Sequence, residues 1–365
     1  MSSSSPRRVI LVGCGAVARQ LYVPALRVLQ DAGLVRVSAI VDSSVSAREA
    51  VAQTFPRAGQ SAALEQTTAP ANSLAILTSP TSLRAAQALV AIEKGWHVLS
   101  ENPLGASSDE SAHVLATAQR HQRLVAVNLY QRFFPSCRYL RSLCRDWLLG
   151  PLVSYTINEG GAFGRPSGDA GFDHAIEPGG VLAETGPHVF DLLDWWLGEP
   201  SAVRYADDAM GGLEANAFVQ LDYASGARGR VHLSRDAMPT QEYRFAFERG
   251  VVFWRGDDAA HLNVELAGAP AALRAALVPL HADTVDEAAT RPLETVPRCF
   301  IHQLQNVLAA IAGEDALLAP ADEAQRSLRL IEQCYARRAL VDQPWLTTGE
   351  SARAQELGNT LSAAS

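Results

Sequence analysis

The chain has 365 residues, of which 48% are hydrophobic and 19% charged, a composition typical of globular proteins. Its net charge of −8 argues against a surface for nucleic acid or anionic membranes. No apolar run approaches the roughly 20 residues that span a bilayer, and the polar N-terminus lacks the apolar stretch of a signal peptide. The five cysteines are scattered without a Cys-x-x-Cys pair, which suits a reducing compartment and predicts no metal site. We therefore expect a cytoplasmic protein with room for two domains.

The first third of the chain alternates short apolar runs with helical patterns, which predicts a parallel sheet with crossover helices. The strand-like runs are Val9–Val12, Val35–Val41, Leu74–Leu77, His97–Leu99 and Leu124–Val127. The helical patterns between them include Val17–Gln30, Leu83–Glu93 and Ser108–Gln119.

A glycine-rich turn, Gly13-x-Gly15-x-x-Ala18, follows the first strand-like run and opens the first helix. The first glycine permits the tight bend, the second lets the backbone approach a pyrophosphate, and the small third residue allows close packing. Asp42 ends the second strand-like run, where its carboxylate can bind ribose hydroxyls and repel a 2′-phosphate. Residues 1–127 are therefore expected to form a Rossmann domain that prefers NAD over NADP. The expected cofactor contacts in this region are Gly13, Gly15, Ala16, Val17, Ala18 and Asp42.

After about residue 128 the pattern changes to helices followed by alternating strand-like runs. The helical patterns are Cys137–Leu148, His188–Leu197, Cys299–Ala312 and Asp322–Leu340. The strand-like runs are Leu152–Asn158, Ala217–Tyr223, Ala227–Ser234, Glu242–Glu248 and Val251–Trp254. They predict a mixed, mostly antiparallel sheet with helices on one face, in a second α/β domain over residues 128–345. We interpret residues 267–278 as a surface insertion and residues 346–365 as a frayed tail.

Two further segments have the composition of a ligand site. Glu101-Asn102-Pro103 follows the strand-like run His97–Leu99, and ligands of open parallel sheets bind beyond the carboxyl ends of strands. Glu184 and His188 lie four residues apart among glycines, and they would share one helical face if the helix began early. A histidine at a helix start is more often a structural cap than a catalyst, so this spacing alone leaves both roles open.

Together with Leu77-Thr-Ser-Pro80 and Arg132-Phe-Phe-Pro135, these motifs resemble the NAD(P)-dependent family of glucose–fructose oxidoreductase, inositol dehydrogenase and the rhizopine-catabolism oxidoreductases. The resemblance covers about residues 8–342 and is nearly silent on substrate. It implies a Rossmann domain followed by an α/β domain whose large open sheet often mediates oligomerisation, here as a homodimer or homotetramer. It also implies a redox reaction at a secondary alcohol of a sugar, sugar nucleotide or cyclitol.

Three positions depart from the usual pattern of this family. Asn102 stands where most members have a lysine that binds the reacting oxygen, Glu184 replaces an aspartate, and Arg84 replaces a histidine. Since Lys94 is the only lysine among 31 basic residues, compositional drift alone would have placed arginine at position 102. An amide cannot transfer a proton near neutral pH, so the site is expected to work in an altered way, to have lost redox activity, or to need no lysine. Arg84 is expected either to bind a substrate anion or to be solvated.

His188 is the candidate acid–base group, because imidazole has a reference pKa of about 6.5 and exists in both protonation states in the cytoplasm. We expect Glu184 to orient or charge-stabilise His188, and Asn102 to hold the substrate oxygen or the nicotinamide carboxamide. The resemblance places Ser79, Pro80, Glu101 and Pro103 around the nicotinamide, the last through a fixed or cis bond. The candidate substrate-facing residues on loops are Tyr130, Arg132, Glu159 and His174.

The sequence therefore predicts an NAD-dependent oxidoreductase acting on a small carbohydrate-like molecule. Two alternatives stay open at this point. One is an enzyme that keeps NAD bound and recycles it during an elimination or epimerisation, and the other is a non-catalytic ligand sensor that binds NAD. The glycine turn and His188 favour catalysis, whereas the missing lysine favours the sensor.

Overall fold

A computed structural model describes residues 5–161, 179–210, 212–236, 241–277, 295–342 and 346–362. The chain divides into two compact units. The first comprises Met1–Phe133 and His281–Gln325, and the second comprises Phe134–Leu280 and Arg326–Ser365. No helix within the described ranges is both long and apolar enough to cross a membrane.

The first unit is built on a parallel sheet. Its strands are β1 Arg7–Val12, β2 Val35–Val41, β3 Gly59–Ser61, β4 Leu74–Leu77, β5 His97–Ser100 and β6 Val125–Val127. Their order is β3-β2-β1-β4-β5-β6, so the chain reverses direction across the sheet between β1 and β4. Every residue of β4 and β5 is buried, which explains why parallel strands read as continuous apolar runs. The predicted Rossmann domain is confirmed, and its ligand edge is the carboxyl end of these strands.

Three crossover helices lie close to their predicted positions, namely α1 Val23–Asp31, α3 Thr81–Glu93 and α4 Ser108–His121. The helix α2, Val45–Ala52, follows β2 and was not among the predicted helical patterns. Ser107 caps α4 by accepting the Glu110 N–H at 3.2 Å, and serine is among the residues preferred at the N-cap. The helix after the glycine turn widens to π geometry over Ala18–Tyr22. Pro24 accounts for this widening, because it has no N–H for the carbonyl four residues earlier.

A helix from far along the chain completes the core of the first unit. This helix, α7, spans Thr295–Ala312, and its Phe300 ring packs edge-on against Tyr22 with centroids 4.9 Å apart. The core cluster that contains β1 also contains these residues of α7: Phe300, Ile301, Leu304 and Val307. The structure thus differs from the predicted division, which assigned all of residues 128–345 to the second domain. The apolar face of α7 is buried against the Rossmann core, and sequence order gives no sign of that return.

The second unit contains one open sheet. Its strands are β7 Leu152–Gly160, β8 Ala202–Asp207, β9 Asn216–Asp222, β10 Arg228–Ser234, β11 Glu242–Phe247, β12 Gly250–Arg255, β13 His261–Leu266, β14 Leu273–Ala276 and β15 Arg338–Leu340. Within the described residues their order is β14-β13-β12-β11-β7-β10-β9-β8-β15. Among the strand pairs of the described residues, only β7–β10 and β8–β15 are parallel, so the predicted mixed, mostly antiparallel sheet is confirmed.

The helices α5, Pro135–Asp146, and α6, Val181–Leu197, contribute to the core of this unit. Trp196 of α6 is buried and donates its indole N–H to the Cys137 carbonyl at 3.0 Å. Its ring meets the Trp254 ring edge-on, with centroids 5.9 Å apart. The adjacent Trp195 is buried as well.

Three segments differ from their predicted form. Part of the predicted surface insertion forms β14, which pairs with β13 at one edge of the sheet. The predicted helix Asp322–Leu340 is shorter in the structure, where α8 spans Ala321–Ala336. The last residues of the predicted helix form β15. The predicted frayed tail contains α9, Thr348–Ser362. Gln355 of α9 accepts the Leu340 N–H at 2.7 Å, which ties this helix to the main chain of β15.

Candidate functional site

The glycine turn after β1 is held against the end of β4. The Gly13 N–H donates to the Val41 carbonyl at 2.8 Å, and the Gly13 carbonyl accepts from Thr78 Oγ1 at 2.9 Å. The φ angle of Gly13 is +92°, and a Cβ there would lie 2.7 Å from Thr78 Oγ1 and 2.8 Å from the Ser79 nitrogen. Position 13 therefore requires glycine for both its backbone conformation and its space.

The remainder of the turn faces open space. A Cβ on Gly15 would meet no atom of the described residues within 4 Å. Ala16 and Val17 are exposed, whereas Ala18 is fully buried against the core. Because the first N–H groups of a helix lack intrahelical partners, this open backbone has the geometry of an anion site. These residues therefore fit the pyrophosphate of a dinucleotide.

Asp42 ties the glycine turn to the loop after β2. Its carboxylate accepts the Cys14 N–H at 2.7 Å and the Ser44 N–H at 2.8 Å. Arg48 donates to the main-chain carbonyl of Asp42. Each carboxylate oxygen has a second lone pair, so Asp42 retains the capacity to bind ribose hydroxyls.

The buried side chain of Cys14 is a filler and not a reactive thiol. Burial, aided by the Asp42 charge, raises the pKa of this thiol to about 12, which keeps it protonated at neutral pH. In the described part of the chain, no group of three or more His, Cys, Asp or Glu side chains is placed to hold a metal ion.

Arg84 joins the two turns that follow β4 and β5. Its guanidinium donates to the Ser79 carbonyl at 2.7 Å and to the Pro103 carbonyl at 2.8 Å. Ser79 is buried and its hydroxyl bonds the Gln87 side chain, whereas Pro80 is exposed at the start of α3. Arg84 is therefore part of the scaffold that holds both predicted nicotinamide turns together.

Glu101 is a buried acid at the end of β5. Asn128 donates its side-chain amide to Glu101 Oε1 at 2.7 Å. Burial raises the pKa of the Glu101 carboxyl, and the positive charge of Arg84 offsets part of that rise. The peptide bond between Asn102 and Pro103 is cis, in agreement with the expectation for Pro103.

Asn102 has a side-chain amide whose hydrogen-bonding groups are unsatisfied. Its Nδ2 and Oδ1 atoms are both buried, and neither has a hydrogen-bond partner among the described residues. Leaving a buried polar group unsatisfied costs about 1–3 kcal/mol, so a ligand that both donates and accepts would be favoured here. The carboxamide of nicotinamide and the hydroxyl of an alcohol both have that capacity. The residues at this end of the sheet therefore fit a nicotinamide cofactor with its substrate.

In the second unit, α6 carries the predicted acid and imidazole. Because α6 begins at Val181, Glu184 and His188 lie one turn apart on the same face. Arg235, which follows β10, binds the Glu184 carboxylate and also donates to the Gly180 carbonyl at 3.4 Å. Glu184 is exposed and His188 is half-buried. The early start of the helix thus brings the two predicted catalytic side chains together.

The residues predicted to face the substrate have different surroundings. The partly exposed Tyr130 packs its ring 5.6 Å from the Phe300 ring, within the first unit. Glu159, at the end of β7, accepts from the Tyr243 hydroxyl, and burial raises the pKa of its carboxyl. His174 lies outside the described residues.

Arg132 is fully buried and is part of the scaffold. It donates to the Leu318 carbonyl at 3.0 Å and forms an ion pair with Glu323. This placement differs from the predicted substrate-facing position. The 3-10 turn Tyr130–Phe133 directs the guanidinium towards a carboxylate that is distant in the sequence.

Two side chains that bind predicted site residues were not identified from the sequence. Asn128 binds Glu101, and Arg235 binds Glu184. Asn128 directly follows the last residue of β6, and Arg235 directly follows the last residue of β10. A polar residue that ends an apolar run was therefore the available signal, but it is too common to assign a contact.

The sequence matches two models of one protein family. Residues 7–129 match the model described as an oxidoreductase family with an NAD-binding Rossmann fold, and residues 137–253 match the GFO/IDH/MocA C-terminal domain. The chain belongs to the Gfo/Idh/MocA family. The resemblance stated from the sequence motifs is thereby confirmed. The two matches place the family's NAD-binding domain over the first sheet and its C-terminal domain from α5 into β12.

Curated relatives of this family member match over about half of the chain. It is 26% identical over 202 residues to the D-glucoside 3-dehydrogenase of Escherichia coli (strain K12), covering 54% of this chain and 56% of the relative. It is 33% identical over 171 residues to the D-xylose 1-dehydrogenase (NADP(+)) 2 of Haloferax volcanii, covering 45% and 51%. The chain therefore spans only about half the length of these relatives.

Solved structures share the fold over most of the chain. A 3-ketoreductase from Actinomadura kijaniata, in complex with NADP and TDP-benzene, has a TM-score of 0.75 at 17% identity, covering 92% of this chain and 99% of that one. A levoglucosan dehydrogenase in complex with NADH and levoglucosan has a TM-score of 0.77 at 16% identity, covering 91% and 97%. At these identities the likeness establishes the fold.

Proposed function

We propose that this Gfo/Idh/MocA family member is an NAD(P)-dependent oxidoreductase acting at a secondary alcohol or ketone of a sugar, sugar nucleotide or cyclitol. The observation that carries the proposal is the open glycine turn at the start of a helix, tied to Asp42 at the end of the next strand. Relatives named as dehydrogenases of a glucoside and of xylose support a carbohydrate-like substrate.

Residues of the first unit would hold the cofactor, which supplies hydride chemistry at its nicotinamide ring. The turn from Gly13 to Ala18 would bind the pyrophosphate, and Asp42 would bind the adenosine ribose. The two turns joined by Arg84 would lie against the nicotinamide. Asn102 would satisfy its buried amide by binding the carboxamide or the reacting oxygen.

The proton transfer would fall to His188, since imidazole can accept or donate a proton near neutral pH. Glu184, one helical turn earlier, would keep a negative charge next to the imidazole, and Arg235 would fix the position of Glu184. Asn102 cannot transfer a proton near neutral pH, so its contribution would be positioning. The site would therefore depend on one titrating group where a lysine-containing site has two.

Separate measurements of binding and turnover on the full chain test this proposal. Calorimetric titration with NAD, NADH, NADP and NADPH is expected to give saturable heats. Absorbance assays with a panel of keto-sugars and cyclitol ketones are expected to show loss of reduced cofactor with at least one of them. A cofactor that copurifies and never exchanges would favour internal recycling, and binding without turnover would favour a sensor. No heat with any dinucleotide would overturn the proposal.

Replacing Asn102 with lysine tests whether the departure is adapted or decayed. If Asn102 binds a neutral oxygen or carboxamide, Asn102→Lys is expected to lower kcat/KM by about tenfold or more, because an ammonium would enter a buried site built for an amide. Steady-state assays with the best ketone measure the effect. The control is Asn102→Ala, which only removes the proposed hydrogen bonds to the ligand. A rise in turnover in the lysine variant would instead indicate a decayed conventional dehydrogenase.

Replacing Asp42 tests the predicted preference for NAD. Asp42→Asn keeps an acceptor oxygen for the Cys14 amide but removes the negative charge that would repel a 2′-phosphate. The ratio of the Kd for NADP to the Kd for NAD is expected to fall by about tenfold, which corresponds to about 1.4 kcal/mol. Calorimetric titration of both cofactors against both proteins measures this ratio. An unchanged ratio would mean that Asp42 does not contact the ribose.

A further inference from the structure

Glu214 lies between β8 and β9 and contacts the start of α6. Its carboxylate oxygen Oε1 accepts the Leu182 N–H at 3.1 Å, and its main-chain carbonyl accepts the Val181 N–H at 3.1 Å. These two N–H groups belong to the set that a helix start leaves without intrahelical partners. Glu214 therefore caps α6 from a position 32 residues after Leu182.

Of the two glycines before α6, Gly180 leaves the space that this cap occupies, and Gly179 leaves room for the first turn of the helix. A Cβ on Gly180 would lie 2.3 Å from Glu214 Cδ, and a Cβ on Gly179 would lie 2.3 Å from the Ala183 Cβ. Gly180 occupies the N-cap position, where serine, threonine, aspartate or asparagine would ordinarily supply the capping oxygen. The glycine pair thus replaces a local cap with a distant one.

Buried neighbours fix the Glu214 side chain. Tyr335 donates its hydroxyl to Oε1 at 2.7 Å, and the Arg338 guanidinium lies 3.8 Å from Oε2. Arg338 also pairs with the buried Asp207 at 2.7 Å, so two carboxyl groups share one cation. Burial raises the pKa of Glu214, which favours its neutral form. Glutamine, a neutral side chain of the same shape, is therefore a mild replacement at this position.

We propose that Glu214 is a positioning residue for the candidate catalytic pair, because it fixes the first turn of α6 that leads to Glu184 and His188. The catalytic consequence rests on the proposed function. Arg235 binds the same turn through the Gly180 carbonyl and the Glu184 carboxylate, so two separate loops hold this helix start. A catalytic group that moves by about 1 Å can lose on the order of 100-fold in rate.

Three variants of the full chain test the proposal by activity. Glu214→Ala removes the acceptor for the Leu182 amide, and we expect kcat to fall by about 10- to 100-fold while the KM for the dinucleotide stays unchanged. Glu214→Gln keeps that acceptor, and we expect it to restore kcat to within about threefold of the unmodified chain. Tyr223→Phe is the matched control, since it breaks a buried hydrogen bond of 3.1 Å to Tyr155 in the same unit without touching the start of α6.

Two readouts do not depend on turnover. Hydrogen exchange is expected to be faster at the Leu182 amide in Glu214→Ala, because only that amide loses its acceptor, and the ring signals of His188 in NMR spectra are expected to shift. Tyr223→Phe is expected to change neither. If the chain turns over no substrate, the proposed function is overturned. These two readouts would still decide whether Glu214 positions the start of α6.

The opposite results would overturn the positioning role. One such result is an unchanged kcat in Glu214→Ala, and another is unchanged amide exchange and His188 signals in that variant. A third is a loss of kcat in Tyr223→Phe equal to that in Glu214→Ala. If Glu214→Ala does not fold, Tyr335→Phe replaces it, because it removes only the hydroxyl that holds Oε1. A shift of the His188 signals in that variant supports the proposal, and its absence contradicts it.

Discussion

Replacing Gly13 with alanine is expected to weaken NAD binding by at least about 100-fold, or about 2.7 kcal/mol. The added Cβ would lie 2.7 Å from Thr78 Oγ1 and 2.8 Å from the Ser79 nitrogen, so the turn has to move. The φ angle of +92° adds backbone strain for any residue other than glycine. Because the displaced backbone is the part expected to receive the pyrophosphate, binding is lost together with local order. Calorimetric titration with NAD measures the change.

Gly33→Ala provides the matched control for this variant. Gly33 also has a positive φ, +74°, but a Cβ there would meet no atom of the described residues within 4 Å. Gly33→Ala is therefore expected to lower thermal stability slightly and to leave the Kd for NAD unchanged. Equal weakening in both variants would show that strain in the first unit, and not the Gly13 turn itself, controls binding.

The core strands of the first unit were predictable because burial on both faces leaves a signal in consecutive residues. The predicted runs Val35–Val41 and Leu74–Leu77 coincide with β2 and β4. Polar and short elements had no such signal. The three-residue strand Gly59–Ser61 is mostly exposed, and its sequence is typical of a loop. It forms because the edge of the parallel sheet next to β2 offers unpaired main-chain groups.

The start of α6 shows why a site can be found in a sequence while its geometry cannot. The sequence predicts a helix only from His188, because Gly179 and Gly180 are typical of a loop. The structure begins the helix at Val181, since Glu214 supplies the missing cap from another loop. The same limit applies to Arg84, whose partners in two turns depend on contacts that residue spacing does not encode.

The departure at Asn102 was visible in the sequence, but its physical state was not. The resemblance of the sequence motifs implies that an amide stands where most family members have a lysine. The structure adds that both polar atoms of the amide are buried and unsatisfied. A buried, unsatisfied amide supports the proposal that Asn102 binds a ligand in a working site.

Replacing His188 with glutamine is expected to lower kcat/KM by about 10²- to 10⁴-fold, the usual contribution of general acid–base catalysis. Glutamine keeps a polar side chain on α6 but cannot transfer a proton near neutral pH. Steady-state assays with the best ketone measure the loss in kcat/KM. Binding of NADH, followed by fluorescence, is expected to stay within about twofold, because the predicted cofactor contacts belong to the first unit.

His121→Gln is the control for this variant, since His121 is exposed in the last turn of α4 and belongs to no candidate site. It is expected to leave both kcat and NADH binding unchanged. Retention of near-normal turnover in His188→Gln would contradict the assignment, and the proton would then have to pass through another group. Asn102 cannot take that role. The next candidate for the proton transfer would then be the buried carboxyl of Glu101, the residue directly before Asn102.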